Sequence, residues 1–506
     1  MENKIKTFET FAPLREQLKR EGKKLVHCHG LFDLVHPGHI LHFKAAKKLG
    51  DVLVVTITPD QYARKGPGRP VFNERLRLET LSSIQYIDCV ILNHWPTAIE
   101  AIHNIKPELY VKGQDYQESQ KDLTGNIALE VEAVRKHGGD VIFTQEEMFS
   151  SSNLLNKFFS KLPAETDEYL KNFRSKQKVE DIIQNLKNLS ELNVLVVGEA
   201  ILDQYVYSIP LQKAPKEAIV TTRFDSDESF AGGSVAVANH LAGFCKKVSL
   251  ISCFGPDEGH LQFIRSKLGS NVELKNVTVD DRPTIVKRRF LDKTWMTKMF
   301  EVQFLNDSDI SETAENEILA ILDQQISRHD FVVVTDFGHG MFTERIRDYL
   351  VQCPKFVALN VQTNSANLGF NLATKYRKCN YLSIDEPELK LAAQIQYGDI
   401  PLIAAQLKKR LNIPNFMVTR GPKGSLFLAN GREPNQTPIF STKIVDRTGA
   451  GDAFFSITAP CVYRGFDPEV IGFVGNCVGA LAVEIVCNRE PVNPVNLYKF
   501  IQHLLK

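Results

Sequence analysis

Short apolar runs alternate with longer amphipathic stretches along the first third of the chain. The runs are typical of buried strands, and the stretches have the spacing of apolar positions that is typical of helices. In chain order these segments are KLVHCHG, a helix over about residues 38–50, DVLVVTIT, NERLRLETLSSI, CVILN, AIEAIHNI and LYVKG. This βαβα alternation predicts a parallel sheet that is covered by helices on both faces.

A second series of strands begins at residue 193 with NVLVVGEAILDQYV and continues with VSLISCFG, FVVVTDFG, FVALNV and FMVTRG. Helical stretches separate these strands, so the second series also predicts an α/β domain. Residues 163–190 between the two series are mostly polar and helix-prone, and we interpret them as a partly helical linker. The sequence therefore predicts two α/β domains, over residues 1–162 and, larger, over residues 191–506.

Composition and charge indicate a soluble globular protein: 43% of the residues are hydrophobic, and 61 Lys and Arg stand against 60 Asp and Glu. This balance, without a basic stripe, gives no reason to expect a nucleic acid or an acidic membrane as partner. The nine cysteines are dispersed with no CxxC pair, which is typical of reduced thiols in the cytosol. The charged N-terminal segment and the lack of a bilayer-length apolar run also favour a cytoplasmic location.

The stretch HGLFDLVHPGH, residues 29–39, concentrates candidate chemistry between a predicted strand and a predicted helix. Pro37 and Gly38 suit the first turn of a helix, and Gly38 lets a ligand approach the backbone. His36 and His39 are three residues apart and therefore project on one side of that turn. The positive end of the helix and two imidazoles are suited to a polyphosphate. A helix start with incidental histidines and a metal-binding pair are the alternatives that this stretch leaves open.

Residues 24–160 resemble the cytidylyltransferase-like nucleotidyltransferases, especially the transferase half of bacterial heptose kinase–adenylyltransferases and the glycerol-3-phosphate cytidylyltransferases. The resemblance rests on the HPGH stretch and on AAKKLGDVLVVTITPD, GRPVFNERLRLETLSSIQYID, LYVKGQDY and SSSNLL, in that order. It implies a Rossmann-like domain in which His36 and His39, helped by Lys47, hold the phosphates of ATP or CTP. It further implies that a set of residues shapes or closes the phosphate site, namely Gly30, Phe32, Asp33, Ser150, Ser151 and Ser152. By residue type alone, Asp33 equally fits a capped turn.

The reaction that this resemblance implies is attack by an acceptor phosphate on the α-phosphate of the triphosphate, with release of pyrophosphate. Such a reaction depends on positioning and charge neutralisation rather than on a protein nucleophile. Mg²⁺ is expected to accompany the triphosphate.

The stretch DRTGAGDAFF, residues 446–455, is the second candidate site. Gly449 and Gly451 allow a tight turn whose N–H groups converge on an anion, and the apolar run that follows predicts a helix. Asp452 lies where a carboxylate can accept a proton from an attacking hydroxyl group. The alternative is a glycine-rich helix start with an inert aspartate.

Residues 193–506 resemble the ribokinase, or PfkB-type, sugar kinases through FAGGSVAVANHLAGF, VTRGPKGSLF, GEAILDQY and the GAGD turn. The resemblance implies that Asp452 is the catalytic base. It also implies that the backbone of Gly449, Ala450 and Gly451 holds the phosphoryl group transferred from ATP with Mg²⁺. Substrate contacts are implied for Asp203, Gly232, Gly233 and Asn239. Nucleotide contacts are implied for Thr419, Gly421, Gly424 and Asn476.

Within that family the sequence is most similar to the heptose kinases, through RPTIVKRRFL and KMFEVQFL. Lys287, Arg288 and Arg289 form a basic cluster that is suited to a phosphate already on the substrate, with a solvent-facing strand as the alternative. The family's Asn-x-x-Glu motif stands here as Asp385 to Glu388, which makes Glu388 the candidate metal residue. The segment LNVQTNSANLGFN replaces the heptose enzymes' DPKG-like segment.

A kinase and a nucleotidyltransferase in one chain predict a short route to a nucleotide-activated sugar, as in the synthesis of a surface polysaccharide such as lipopolysaccharide. The heptose enzymes carry the kinase first, whereas here the order is reversed. Two alternatives stay open: synthesis of a CDP-polyol such as CDP-glycerol with a kinase of different specificity, and a protein with one regulatory half. The expected partners are nucleoside triphosphates and a sugar phosphate. A homodimer is left open because ribokinase-type enzymes often dimerise.

Overall fold

The computed structural model describes residues 4–63, 70–113, 126–144, 162–211, 217, 219–441 and 443–505. The chain divides into two compact units, of which the first comprises Met1–Pro163 with Tyr498–Lys506 and the second comprises Ala164–Leu497. Both units alternate strands and helices around a largely parallel sheet, so the predicted α/β class is confirmed.

The first unit is built on a parallel sheet. Its described strands are β1 (Ile5–Lys6), β2 (Leu25–Gly30), β3 (Val52–Ile57), β4 (Cys89–Leu92), β5 (Leu109–Gly113) and β6 (Asp140–Thr144). They are ordered β1-β4-β3-β2-β5-β6, and every neighbouring pair is parallel. Its described helices are α1 (Phe8–Arg20), α2 (Pro37–Lys47), α3 (Glu74–Ser82), α4 (Ile99–Ile105) and α5 (Asn126–Lys136).

This sheet is covered on both faces, which explains its continuous apolar runs. Leu53 and Val55 belong to one buried cluster, whereas Val54 between them belongs to another. The chain leaves β2 towards β3 on one side and later returns to place β5 on the other side. The carboxyl ends of β2 and β5 therefore flank a topological switch point, where α/β sheets bind ligands. The HPGH stretch follows β2 at this point.

The second unit contains a nine-stranded and a four-stranded sheet among its described residues. The larger sheet is formed by β7 (Asn193–Gly198), β10 (Lys247–Phe254), β11 (Val272–Thr278), β14 (Phe331–Asp336), β15 (Phe356–Val361), β16 (Tyr381–Asp385), β17 (Asn415–Thr419), β18 (Ser425–Ala429) and β19 (Asn435–Thr437). Its order is β11-β10-β7-β14-β15-β16-β17-β18-β19, parallel from β11 to β17 and antiparallel thereafter.

Helices follow the strands of the second unit. They are α6 (Ala164–Lys176), α7 (Val179–Lys187), α8 (Ser234–Ala242), α9 (Glu258–Lys267), α10 (Glu312–Ile326), α11 (Glu344–Gln352), α12 (Glu386–Ala393), α13 (Ile400–Arg410), α14 (Ala450–Tyr463), α15 (Pro468–Ala482) and α16 (Pro494–Leu505). The last helix, α16, continues from this unit into the C-terminal residues assigned to the first. Short 3₁₀ helices lie at Asp60–Tyr62, Asn188–Glu191, Ala373–Lys375 and Gly421–Lys423.

The four-stranded sheet was not predicted from the sequence. It consists of β8 (Ala200–Pro210), β9 (Thr222–Gly233), β12 (Ile285–Asp292) and β13 (Thr297–Phe304), in the order β13-β12-β8-β9. Most residues of β13 and about half of those of β9 are exposed. These strands lack the continuous apolar run that marks a buried strand, so their sequences gave no clear signal.

Residues 163–190, predicted as a partly helical linker, form α6 and α7. Phe173 of α6 is buried and stacks on Phe473 of α15 at a ring distance of 4.3 Å. Ile183 and Leu186 of α7 are also buried. The apolar side of this segment therefore contributes to the core of the second unit. Among the helices of the described part of the chain, none is both long and apolar enough to cross a bilayer.

Candidate active sites

The turn between β2 and α2 is shaped by close packing at Gly30 and Phe32. A Cβ atom on Gly30 would lie 2.8 Å from the Phe32 ring, so a side chain at this position would displace the ring. Phe32 itself has a positive φ of 49°, which is uncommon for a residue with a side chain. Its ring packs edge-on against His39 at 5.3 Å and against Phe43 at 5.1 Å. Phe32 thus supports one of the two predicted phosphate-binding histidines.

His36 and His39 are brought together as the sequence spacing predicts. Their rings stack at a centroid distance of 3.9 Å with an interplanar angle of 23°. His36 is the N-cap residue of α2, but its imidazole makes no capping hydrogen bond to the first turn. Burial lowers the pKa of His36 from its usual value, which favours a neutral ring. Among the described residues, no group of three or more His, Cys, Asp and Glu side chains is placed to hold a metal.

The backbone of this helix start offers fewer donors than the sequence argument assumed. Pro37 has no N–H group, and the N–H groups of His39 and Ile40 donate to the His36 carbonyl at 2.9 and 3.3 Å. Anion binding at this turn therefore depends on the imidazoles and on the N–H of Gly38.

Asp33 binds the backbone of the segment just before α3. Its Oδ1 atom accepts hydrogen bonds from the N–H groups of Val71 and Phe72 at 2.7 and 3.0 Å. Arg77, which the sequence analysis did not single out, is fully buried and donates to the Leu31 carbonyl at 2.7 Å. These contacts fix the loop on which the histidines stand.

Lys47 is not brought to the histidines. It lies in the last turn of α2, about 12 Å along the helix axis from His39. Its Nζ atom pairs with Asp88 at 2.6 Å and donates to the Asp51 carbonyl at 2.5 Å. The predicted closing serines, Ser150, Ser151 and Ser152, lie outside the described residues.

The second site is the turn that starts α14. Gly449 has a φ of 81°, a backbone conformation that favours glycine. A Cβ atom there would also lie 2.1 Å from Asn488 Oδ1, which is a second reason for glycine. The N–H of Ala450 donates to the Arg447 carbonyl at 3.3 Å, while those of Gly451 and Asp452 belong to the first turn, where no carbonyl precedes them in the helix. This turn therefore presents N–H groups and a helix dipole to an anion.

Asp452 is buried in the first turn of α14 and is held by Gln362. Gln362 Nε2 donates to Asp452 Oδ1 at 2.6 Å and to Asn360 Oδ1 at 3.0 Å. Burial raises the pKa of Asp452 to about 7, although the bond from Gln362 lowers it; the charge of Asp203 adds to the rise and that of Lys287 opposes it. A carboxylate that titrates near neutrality is suited to act as a general base.

Glu388 supports this arrangement from α12. It accepts hydrogen bonds from the N–H groups of Thr363 and Asp385 at 2.9 and 2.8 Å, and Asp385 caps the helix in return. Burial and the neighbouring carboxyl groups of Asp385 and Asp452 raise the pKa of Glu388 to about 8. Because Thr363 follows Gln362, Glu388 also fixes the segment that holds Asp452.

The four-stranded sheet contributes the predicted substrate residues. A Cβ atom on Gly232 would lie 2.0 Å from Asp203 Oδ2, so only glycine admits this carboxylate. Arg289 pairs with Asp203 at 2.5 Å and with Glu301 at 2.6 Å, and its charge is therefore largely compensated. Lys287 is buried opposite Asp203 in the strand register, and burial lowers its pKa although Asp203 and Glu301 favour its charge.

The other predicted substrate residues, Gly233 and Asn239, and the neighbouring Arg288 differ in placement. Gly233, with a φ of 58°, is the N-cap of α8, where a Cβ atom would lie 2.5 Å from the Glu199 carbonyl oxygen. Arg288 points to the opposite face of the strand from Arg289 and donates to Gln204 at 2.8 Å.

Asn239 has both ends of its amide engaged: Nδ2 donates to the Lys267 carbonyl and Oδ1 accepts from the N–H of Gly269. Asn239 therefore connects α8 to the end of α9.

The predicted nucleotide loop forms the turn between β17 and β18. Thr419 ends β17, Gly421 has a φ of 53°, and Gly424 has a φ of 80° with the Thr437 carbonyl 1.9 Å from a Cβ position. Asn476 is buried on α15 and donates to Ser425 Oγ at 2.6 Å. The structure thus brings Asn476 next to this turn.

Glu199 has a structural role that the sequence analysis did not find. It accepts hydrogen bonds from the backbone of the turn after β14, namely from the N–H groups of Phe337, His339 and Met341. Burial, with the charge of Asp336, raises the pKa of Glu199 to about 7. Its place four residues before Asp203 in GEAILD was the available signal, since polar residues after a buried strand lie at the ligand-binding edge of the sheet.

Two protein-family models match the chain, one towards its N-terminus and one towards its C-terminus. The cytidylyltransferase-like model matches residues 27–209, and the model described as pfkB family carbohydrate kinase matches residues 191–491. These matches confirm both resemblances predicted from the sequence, in the predicted order.

The similar curated proteins include several named Bifunctional protein HldE. That of Koribacter versatilis is 24% identical over 331 residues, covering 64% of this chain and 66% of the relative. That of Rhodopseudomonas palustris is 24% identical over 303 residues, covering 59% and 61%. That of Gluconobacter oxydans is 38% identical over 136 residues, covering 26% and 27%. Each match spans less than two thirds of the relative's length.

Among solved structures, a ribokinase of Thermotoga maritima matches with a TM-score of 0.49 and 21% identity. The match covers 62% of this chain and 99% of that one.

Proposed function

The chain belongs to the pfkB family of carbohydrate kinases, and on that premise we propose that it is a bifunctional sugar kinase and nucleotidyltransferase. Its second unit phosphorylates a sugar or sugar phosphate of the heptose 7-phosphate kind with ATP. Its first unit transfers a nucleotidyl group from ATP or CTP to a sugar phosphate and releases pyrophosphate. The observation that carries the proposal is the buried Asp452 in the first turn of α14, whose pKa burial raises to about 7 and whose carboxylate accepts a hydrogen bond from Gln362.

In the kinase reaction the Asp452 carboxylate accepts the proton of a sugar hydroxyl group. The hydroxyl oxygen then forms a bond to the γ-phosphorus of ATP, while the bond to the β-phosphate oxygen breaks and ADP leaves. The first-turn N–H groups of Gly451 and Asp452 stabilise charge on the transferred group. Asp203 accepts hydrogen bonds from the sugar, and Lys287 supplies the positive charge that faces it.

Mg²⁺ fits this site as a partner of the nucleotide. The described residues place no group of three or more ligating side chains together, but Mg²⁺ is usually bound through one or two carboxylates, waters and substrate phosphates. Glu388, near Asp452, and Asp385 offer oxygen ligands; burial, with the charges of Asp385 and Asp452, raises the pKa of Glu388 to about 8, and a bound cation would lower it. The ion would neutralise charge on the phosphates.

In the nucleotidyltransferase reaction the stacked His36 and His39 bind the phosphates of the triphosphate. An oxygen of the acceptor phosphate attacks the α-phosphorus, and the bond to the β-phosphate breaks to release pyrophosphate. The two histidines lie next to the switch point between β2 and β5, and this placement supports their assignment to phosphate binding.

The first experiment measures phosphate transfer from γ-labelled ATP to a panel of sugars, sugar phosphates and polyols, with the full chain and its Asp452→Asn variant. We expect transfer to a heptose phosphate that is lost in the variant. Absence of transfer to every acceptor would contradict the kinase assignment.

A parallel experiment measures pyrophosphate release from ATP and from CTP with sugar 1-phosphates and glycerol 3-phosphate as acceptors, with a His36→Asn variant as control. Release only with CTP and glycerol 3-phosphate would support the CDP-polyol alternative. Release without any kinase activity, or the reverse, would support a regulatory role for one half.

We also propose that the protein forms a homodimer through the second unit. Its four-stranded sheet exposes the apolar side chains of Phe224, Phe300 and Phe304, and the turn between β12 and β13 exposes that of Trp295. Exposed apolar patches of this kind often mark protein interfaces. Light scattering of the full chain would test this, and a monomeric mass at micromolar concentration would contradict it.

A further inference from the structure

Asp446, the first residue of the DRTGAGD segment, has no part in the proposed reaction, yet its carboxylate is buried and has four donors. Its Oδ1 atom accepts from Lys298 Nζ at 2.8 Å and from the N–H of Thr448 at 3.0 Å. Its Oδ2 atom accepts from the Tyr205 hydroxyl at 2.6 Å and from the N–H of Cys487 at 3.0 Å. A buried carboxylate with this many partners holds them in a defined arrangement.

The two backbone donors belong to the surroundings of the phosphoryl-binding turn. Thr448 directly precedes Gly449, and Cys487 directly precedes Asn488, whose Oδ1 atom would lie 2.1 Å from a Cβ atom on Gly449. A displacement of Asp446 would therefore move both the turn and the segment that packs against it.

The two side-chain donors come from the four-stranded sheet. Tyr205 lies on β8 and Lys298 on β13, and the Lys298 ammonium group is 5.3 Å from the centre of the Tyr205 ring. Lys298 also donates to Thr448 Oγ1. The same sheet carries Asp203 and Lys287, so Lys298 connects the substrate-binding sheet to the phosphoryl-binding turn.

The charge of Lys298 matters because Asp446 stays ionised. Burial alone would raise the pKa of Asp446, but the hydrogen bonds from Lys298, Tyr205 and Thr448 hold it below its usual value. An ionised carboxylate in the protein interior needs a charge partner, and Lys298 supplies it.

We propose that Lys298 is a positioning residue for phosphoryl transfer, which acts through Asp446 and Thr448 to fix the turn at Gly449. This inference rests on the proposed kinase function. Lys298 does not touch the reacting groups, and its effect is to keep the first-turn N–H groups of α14 aimed at the transferred phosphoryl group.

The test compares Lys298→Met with Lys293→Met in the full chain. Lys293 lies on the same hairpin between β12 and β13, where it pairs with Asp225, and is the matched control. With the acceptor found in the panel, we expect kcat of Lys298→Met to fall about 10- to 100-fold while KM for ATP changes less than about threefold. Lys298→Arg should recover most of kcat because it keeps the charge, and Lys293→Met should stay within about twofold of wild type.

A second measurement needs no acceptor. Fluoroaluminate, added with ADP and Mg²⁺, mimics the phosphoryl group during transfer. The melting temperature of the protein with ADP and fluoroaluminate, compared with that with ADP alone, measures whether the turn binds this mimic. We expect Lys298→Met to lose the rise that fluoroaluminate adds and to keep the rise caused by ADP. If Lys298→Met does not fold, Tyr205→Phe decides, with an expected fall in kcat of about 2- to 10-fold for one hydrogen bond.

The results separate this inference from the function on which it rests. A wild type that transfers phosphate while Lys298→Met keeps kcat within about twofold, or keeps the fluoroaluminate effect, overturns the positioning role alone. A wild type that neither transfers phosphate nor responds to ADP with fluoroaluminate overturns the kinase function and this inference together.

Discussion

Replacing Gln362 by leucine should move the pH dependence of the kinase reaction to higher pH. Gln362 Nε2 donates to Asp452 Oδ1 at 2.6 Å, and this bond stabilises the ionised form of the carboxyl group whose pKa burial raises to about 7. Leucine has a similar volume and no donor. The variant therefore removes the hydrogen bond with little change in the buried volume.

The expected size follows from the strength of such a bond. A hydrogen bond to a charged group contributes about 1.5–3 kcal/mol, which corresponds to a rise of about one to two pH units in the midpoint. Because the base must be ionised to accept a proton, kcat/KM rises with pH through this midpoint, and the leucine variant needs a more alkaline solution to reach its plateau.

The assay is kcat/KM for phosphate transfer across about pH 5.5–9.5, for wild type, Gln362→Leu and the control Gln352→Leu. Gln352 is exposed at the end of α11, so its replacement should leave the profile in place. The reasoning would be refuted by a Gln362→Leu profile with the wild-type midpoint, since Gln362 would then not stabilise the ionised base.

Four further predictions test other parts of the two sites. His39→Asn should lower nucleotidyl transfer about 100-fold and leave kinase activity unchanged, as pyrophosphate release and phosphate transfer would show. Lys47→Met should change nucleotidyl transfer less than about threefold and unfolding free energy by at most about 1 kcal/mol, because Lys47 pairs with Asp88 in a half-exposed ion pair; a loss as large as that of His39→Asn would place it in the site. Asn239→Ala should lower the free energy of unfolding by about 1–3 kcal/mol in denaturant titration and leave KM for the sugar unchanged, because its amide bonds α8 to the end of α9. Glu388 binds a proton up to about pH 8 in the folded protein, so it contributes stability at low pH that is lost as pH rises; the melting temperature of Glu388→Gln relative to wild type should increase from about pH 5 to about pH 8.

The fold could be predicted as far as apolar patterning reports burial. Runs such as VLVV in β3 and FVVV in β14 are buried on both faces, and their alternation with helices was sufficient to predict two α/β units. The four-stranded sheet was not predicted because most side chains of β13 are exposed, so its sequence lacks the apolar run of a buried strand. β13 pairs with β12 in a local hairpin, but the pairing of β12 with β8 joins segments that lie far apart in the chain.

The residues of the candidate sites also fall into those whose positions the local sequence predicts and those whose positions it does not. Local spacing placed His36 beside His39 and Asp452 at a helix start, because residues three apart or in one turn are neighbours by geometry. The spacing did not predict the position of the Lys47 side chain. Lys47 lies at the end of α2 and pairs with Asp88, and nothing in the local sequence indicates this distant partner.

The residues that the structure adds are those whose partners are distant in sequence. Gln362 reaches Asp452 across 90 positions, and Lys298 reaches Asp446 across 148. Both contact the DRTGAGD segment: Gln362 bonds to Asp452, the proposed base, and Lys298 bonds to Asp446, which lies just before the Gly449 turn. A motif therefore identifies the reacting groups, whereas the groups that set their pKa and position come from strands and loops that only the tertiary fold brings to the turn.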